Sequence, residues 1–447
     1  MKEKSPIQLS DSFGYGRLIR FVIPSVVMMI FTSIYSIVDG FFVSNFVNKT
    51  AFASVNLMMP LIMVLGAVGF MIGTGGTAIV AKTLGLGEKE NANRYFSFLT
   101  YFTVISGVIL AALGIFFARP VASLLGAGEG VMLENCVTYC QLVLLGLPFF
   151  MLQNVFQSFF ITAEKPKLGL FVTVMAGVTN IVLDALLIAV FEWGIAGAAI
   201  ATAISQFVGG VFPLIYFGRD NSSTLRLGKS GFYGKVLLHT VTNGSSELMS
   251  NISSSVVTIF YNMQLMRFAG ENGVAAYGAI MYVSFIFAAM FIGFSIGSSP
   301  IVSFHYGAGN RSELRSLRKK SVVIIGITSF AMTALSLLLS APLSELFVGY
   351  DRELFELTHR GFIIFSFVFL TMGMNIFGSG FFTALNNGIV SAVIAFLRTL
   401  VFQIASVLIL PIFFEMDGVW FSIIVADVLA FIVTLVFLVA NRKKYGY

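Results

Sequence analysis

The sequence predicts an all-α integral membrane protein: twelve transmembrane helices in two parallel-repeat six-helix bundles with a central cleft. Three observations predict it. The 447-residue chain is 57% hydrophobic and only 11% charged, far from soluble-domain composition; so little polar surface cannot cover so much apolar surface in water. Twelve apolar stretches are long enough to cross a hydrocarbon core of about 30 Å. The chain also repeats itself. Gly69-Phe70-Met71-Ile72-Gly73 returns as Gly293-Phe294-Ser295-Ile296-Gly297, and Gly85-Leu86-Gly87 as Gly307-Ala308-Gly309. Asn154, Phe156, Thr162, Ala163 and Gly197 return as Asn375, Phe377, Thr383, Ala384 and Gly418.

The first stretch, 18–42, comes after a basic start and mimics a signal peptide. It is too long for one, carries Asp39 and lacks a convincing cleavage site, so it is expected to stay as a helix. The second, 53–81, holds Gly73-Thr74-Gly75-Gly76-Thr77, which lacks the Lys-Ser/Thr ending of a phosphate-binding loop. The third and fourth are 95–118 and 132–161. Cys136 and Cys140 sit one turn apart on the fourth; two cysteines so spaced make neither a disulfide framework nor a complete metal site, and read as small packing residues. The fifth and sixth, 168–191 and 195–217, close an N-terminal lobe of residues 1–217. A polar stretch, 218–234, with Arg219-Asp220-Asn221-Ser222-Ser223, reads as a cytoplasmic linker that ties two bundles while letting them move. The C-terminal lobe, 235–447, repeats the pattern at 236–266, 273–303, 321–341, 357–384, 389–413 and 418–441. Six helices per half is an even number, so both halves enter the membrane in the same sense, as in parallel-repeat secondary transporters.

Charge sets the orientation. Of 27 Lys and Arg residues, five (Lys49, Arg119, Arg267, Arg352, Arg360) fall in loops on one side and Arg398 falls inside a helix. The rest, from Lys2 and Lys4 to Arg442, Lys443 and Lys444, lie with the termini and alternate loops. The positive-inside rule then predicts a multi-pass cell (inner, cytoplasmic) membrane protein with both termini cytoplasmic. The net charge of +6 is explained by these loops rather than by nucleic acid, for which no partner role is expected. With no nucleotide-binding motif, energy is expected from an ion gradient.

Ionisable groups within membrane spans are costly, at least ~2.5–3.5 kcal/mol near the centre on insertion scales. Five fall there: Asp39, Asp184, Glu247, Arg398 and Asp427. Asp39 and Asp184 share the outer half of the N-terminal lobe. Asn180 lies one turn from Asp184 on the same face, and Thr202 on the descending sixth helix reaches a similar depth, with Gln206 one turn below. Carboxylates, an amide oxygen and a hydroxyl at one level make a hard, oxygen-rich site suited to H⁺ or Na⁺ as coupling ion, with no cofactor and no other metal implied. Taken alone, Asp39 also reads as a water-facing anchor of its helix end, and Asn180 and Thr202 as interhelical glue. In the C-terminal lobe Arg398 pairs with Asp427 or with Glu247 as a structural ion pair. Glu247, in the polar and breakable stretch Asn243-Gly244-Ser245-Ser246-Glu247, reads as a cleft residue, together with Asn154, Gln206 and Asn375. His305 is read as interfacial. The 48 Phe and 19 Met supply aromatic faces and flexible thioethers suited to flat, cationic ligands.

From about Arg17 to Asn441 the chain resembles the multidrug and toxic compound extrusion (MATE) family, in its MepA-like bacterial branch. The resemblance rests on Val38-Asp39-Gly40, on the paired glycine-rich ends of helices 2 and 8, and on Gly194-Ile195-Ala196-Gly197-Ala198-Ala199. Asp417-Gly418-Val419-Trp420 with Ala426-Asp427 adds to it. It implies a cation-coupled multidrug efflux antiporter, not an enzyme, that exports organic, often cationic aromatic compounds by alternating access and works as a monomer in the bilayer. The family's acidic N-lobe site maps onto Asp39, Asn180, Asp184 and Thr202. The alternative is a flippase or exporter of a lipid-linked precursor or metabolite, which favours a basic cleft; only Arg398 lies within the membrane here. An intramembrane protease would need companion motifs beyond two aspartates.

Overall fold

The structure, a computed structural model, describes residues 7–447, so Lys2 and Lys4 lie outside the described residues. Those residues fold into helices α1 (Tyr15–Phe46), α2 (Lys49–Gly85), α3 (Lys89–Leu124), α4 (Val131–Leu145), α5 (Leu147–Thr162), α6 (Pro166–Asp184) and α7 (Gly194–Gly218). After the linker come α8 (Gly234–Gly307), α9 (Arg311–Val348), α10 (Arg352–Ser366), α11 (Phe369–Ala384), α12 (Gly388–Phe396), α13 (Phe402–Ala440) and α14 (Arg442–Tyr445). One π-helical turn, Ala185–Val190, continues α6, and another, Leu397–Val401, joins α12 to α13.

Eight helical stretches are long and apolar enough to cross a membrane, and two bent pairs, α4 with α5 and α10 with α11, add two crossings, each turning by 52°. Two of the eight are double. A straight helix of the 74 residues in α8 would run roughly 110 Å at 1.5 Å per residue, and α8 instead breaks at Gly270 (φ 58). The stretch Gly388–Ala440 breaks at Glu415 (φ 50). Twelve crossings result, as the apolar stretches predict. The duplication extends to the turns: Gly87 and Gly309, Glu164 and Asn386, and Glu192 and Glu415 all take positive φ. Only glycine adopts that region without strain, so one turn geometry has been kept in both halves while the residues changed.

The two halves meet where α1 and α2 lean on α8, and glycine makes the approach. A Cβ on Gly75 would run into the carbonyl of Thr240, one on Gly244 into Met71, one on Gly85 into Phe304 and one on Gly307 into Lys82. Gly293 and Gly297 receive Ser25, Val26 and Val22 of α1 in the same way. These contacts all lie toward the end of the bundle that holds both chain termini, where Phe13 N donates to Glu313 Oε1 (2.8 Å) and Arg315 Nε donates to the Gly446 carbonyl (2.8 Å). Glycines near the opposite end (Gly40, Gly270, Gly278) meet nothing from the other half. The seam is closed at the terminal end.

Three local expectations change. The linker is not loose: Arg226 N bonds Asn93 Oδ1 (2.7 Å), Gly228 N bonds Ser97 Oγ (3.0 Å), and Tyr101 Oη donates to the Gly228 carbonyl (3.0 Å). It is fastened along α3 and runs up to Gly234, where α8 begins. The stretch Asn243–Glu247 is unbroken helix; Gly244 there serves close packing rather than a kink. His305 is buried, with Nε2 3.3 Å from the Asp11 carbonyl under the N-terminal segment, not exposed at an interface. Cys136 and Cys140 are buried free thiols in the α4 packing face.

Candidate functional site

The first half builds its site where α6 gives way to the π turn. Asp184 is the last α-helical residue before Ala185–Val190. Such turns insert a residue and re-aim the side chains beyond it, and they are common at functional sites. Asp184 is fully buried and Asn180 nearly so, while Asp39 from α1 is 9% exposed. Burial removes the reading of Asp39 as a water-facing anchor. Asp39 and Asp184 are close enough to feel each other's charge. Tyr139 of α4 lies close to both, and Tyr35, one turn before Asp39, lies close to that residue. α6 and α7 run antiparallel, with Gly197 against the Leu187 backbone. Thr202 is therefore level with Val182, between Asn180 and Asp184.

The polar atoms of this group are not satisfied by the protein. Both carboxyl oxygens of Asp184, Oδ1 of Asp39 and Nδ2 of Asn180 are buried without a hydrogen-bond partner. Each such group costs about 1–3 kcal/mol, more when charged. Two neighbouring buried carboxyl groups also disfavour simultaneous ionisation unless a cation stands between them. Hard oxygen donors with unmet capacity, here the two carboxyl groups, fit a proton or a small hard cation rather than a soft metal; Asn180 adds an unpartnered amide nitrogen beside them. Tyr139 was missed. The signal for it was a hydroxyl beside Cys140 on the buried face of the fourth span.

The cleft candidates separate. Gln206 Oε1 is buried and unpartnered, and its side chain packs against Gly146 at the α4–α5 bend. Asn154 is buried with Nδ2 unpartnered. Its repeat mate Asn375 is fully engaged: Nδ2 donates to the Asp427 carbonyl (2.8 Å) and Oδ1 accepts from Thr434 (3.1 Å). Asn375→Ala strips two buried partners at once and is expected to destabilise by ~1–3 kcal/mol, read as a lower thermal midpoint. Asn154→Ala is expected to cost less, because no partner is orphaned.

Of the two partners open to Arg398, the structure shows Asp427. Arg398 Nε lies 2.7 Å from Asp427 Oδ1, and Thr371 Oγ1 donates to the other oxygen (3.1 Å). Glu247 stands apart from this pair, half-buried on the first segment of α8. The second half thus gives its buried aspartate a built-in cation, whereas the first half leaves two aspartates without one. Thr371 and Thr434 were not read from the sequence, although Thr371 and Asn375 are one turn apart on one face.

The comparisons with known proteins agree with this architecture. The MatE family model matches twice, over residues 24–186 and 248–409, once in each half. The multidrug export protein MepA of Staphylococcus haemolyticus is 24% identical over 428 residues, covering 96% of this chain and 94% of the relative. MepA of Staphylococcus aureus MRSA252 is 22% identical, covering 96% and 92%. Among solved structures, the outward-facing conformation of a multidrug resistance MATE family transporter of the MOP superfamily superposes with a TM-score of 0.93 at 21% identity, over 100% of this chain and 99% of that one. A MATE in the bent conformation gives 0.88 at 21% identity over the full length of both chains. With both halves matched by its model, the chain belongs to the MatE family of multi-pass membrane transporters.

Proposed function

We propose that the protein is a cation-coupled antiporter that exports organic, often cationic aromatic compounds, with Na⁺ or H⁺ as the coupling ion. The observation that carries the reading is the buried group of Asp39, Asn180 and Asp184, whose oxygens and amide the protein leaves unpartnered at the level of Thr202. Residues 1–217 and 235–447 act as two lobes joined by 218–234. By the positive-inside rule the terminal end is cytoplasmic, so the glycine seam closes the inner side and the cleft faces out. The MepA relatives are named for multidrug export, which supports the substrate class.

In the cycle, a cation enters the outward-open cleft and binds Asp39 and Asp184. Neutralising the pair repacks α1, which contains Pro24, and lowers substrate affinity, so the compound leaves to the outside. The loaded carrier then turns inward, releases the cation and takes up new substrate. A cation drives this only by binding the two conformations unequally. Asn154, Gln206 and Glu247 line the substrate path, while Asn375, bonded to the Asp427 carbonyl and to Thr434, holds α11 to α13 in the second lobe. One chain supplies both lobes, so a monomer is the working unit.

Efflux of a fluorescent cationic dye from proteoliposomes under separately imposed Na⁺ and proton gradients tests the reading. Dye movement is expected under one gradient and not without it. Oriented, folded protein that moves no cationic dye under either gradient would overturn it.

A further inference from the structure

Arg398 is held in a way that a structural ion pair does not require. Its contact with Asp427 is through Nε alone, and Asp427 uses its other oxygen on Thr371. Asp427 is in turn locked by Asn375 Nδ2 on its carbonyl. Among the described residues the two Nη groups of Arg398 have no protein acceptor, and 18% of its side chain is exposed. A guanidinium with free donors at this depth is not tolerated against lipid; it borders water.

The neighbouring helix shows which water. The π turn holding Arg398 packs against the first segment of α8, and the two helices run parallel from the terminal end. Gly388 abuts Thr242 and Asn243, and Tyr261 Oη donates to Gln403 Oε1 (2.6 Å). Between these two contacts Arg398 is level with about Ser254. There α8 presents Glu247, Asn251, Ser254 and Thr258 at helical spacing, with Ser254 and Thr258 exposed. Their hydroxyls already donate to the carbonyls of Ser250 and Ser254 (2.8 Å each). Glu247 heads this stripe, and an ionisable residue within a span faces the bundle interior or a water-filled cavity rather than lipid. Glu247 and Arg398 then stand on one cleft wall with roughly 10 Å of helical rise between them, at 1.5 Å per residue.

We propose that Arg398 is an anion subsite: its Nη fork takes the carboxylate of zwitterionic substrates whose cationic end lies toward Glu247. Asp427 and Thr371 orient the guanidinium by its Nε edge and leave the forked edge to the ligand, the geometry that suits a planar oxyanion. Asp427 also offsets the charge, so a purely cationic substrate is not repelled. This deepens the export reading and rests on it.

The test uses the purified full chain in nanodiscs and two dyes that differ only in the charge of one group. Rhodamine 110 carries a free carboxylate in its zwitterionic form, and rhodamine 123 is its methyl ester and a cation. Their dissociation constants are measured by fluorescence polarisation for wild type, Arg398→Lys and the charge-balanced Arg398→Met/Asp427→Asn pair. Wild type is expected to bind the carboxylate dye more tightly than the ester. The double variant is expected to lose about tenfold for rhodamine 110, the scale of one charged hydrogen bond, and less than about twofold for rhodamine 123. Arg398→Lys falls between, because a point charge replaces the fork. Retained rhodamine 123 binding reports a folded cleft. Equal losses for both dyes, or no loss for either, overturn the anion subsite and leave the export reading standing. A wild-type protein that binds neither dye overturns both.

Discussion

Asp184→Asn is expected to abolish gradient-driven dye export without unfolding the protein. The substitution is nearly isosteric and removes an ionisable carboxyl from a fully buried site whose oxygens have no partner. Its effects on coupling and on stability have opposite signs. Coupling falls, because the cation loses one of two carboxylates. A charge-assisted contact is worth ~1.5–3 kcal/mol, and each 1.4 kcal/mol is a factor of about ten, so ion-dependent efflux drops by at least about tenfold. Stability does not fall, because a second buried carboxyl without a partner is a burden on the fold whether it holds a charge or a proton; the thermal midpoint stays level or rises. Asp39→Asn acts in the same direction. The double variant loses little more than either single one, since residues in one site are not additive. The paired readout is the check: efflux under each gradient, and thermal unfolding in the same preparation. Full coupling retained by a folded Asp184→Asn protein would remove the two aspartates from the mechanism.

How much of this was legible in the sequence depends on what a sequence encodes. Spans were readable because hydrocarbon thickness imposes length, and duplication was readable because Gly69 to Gly73 and Gly293 to Gly297 repeat at fixed spacing. The acidic site was readable because Asp39 and Asp184 are each too costly in a membrane to be incidental. Bends, breaks and neutral partners were not. Nothing in Phe367-Val368 announces a 52° turn, and its mate at Gly146 would pass as packing. Tyr139, Thr371 and Thr434 carry no charge, so depth alone does not mark them; only packing places them beside an aspartate or its partner. The anchoring of the linker was hidden for a related reason. Its polarity is real, but Asn93 and Ser97, which fasten it, lie 133 and 131 residues away in sequence.

The glycine seam yields the second large effect. Gly244→Val is expected to drive the carrier out of the conformation described here. A side chain at Gly244 meets the backbone of Met71, not a flexible side-chain end, so the clash is not relieved by a rotamer change; α8 and α2 have to separate. Overpacking of this kind typically costs ~1–3 kcal/mol, and because it acts only where the lobes touch, the penalty falls on the closed seam alone. That is the differential energy a two-state equilibrium responds to, so the closed-to-open ratio at the terminal end shifts by roughly ten- to a hundredfold. Spin labels at Glu88→Cys and Ser312→Cys, both exposed where α3 and α9 begin at the terminal end, report the change as a longer distance distribution by pulsed electron resonance. Gly278→Val is the control, since a side chain there meets nothing and the distribution stays as in the parent. Transport fails in the Gly244 variant even though both aspartates are intact, because a carrier that cannot seal one side has no alternation to couple. An unchanged distance distribution in folded Gly244→Val would mean that the glycines serve ordinary helix packing and that the lobes separate about some other contact.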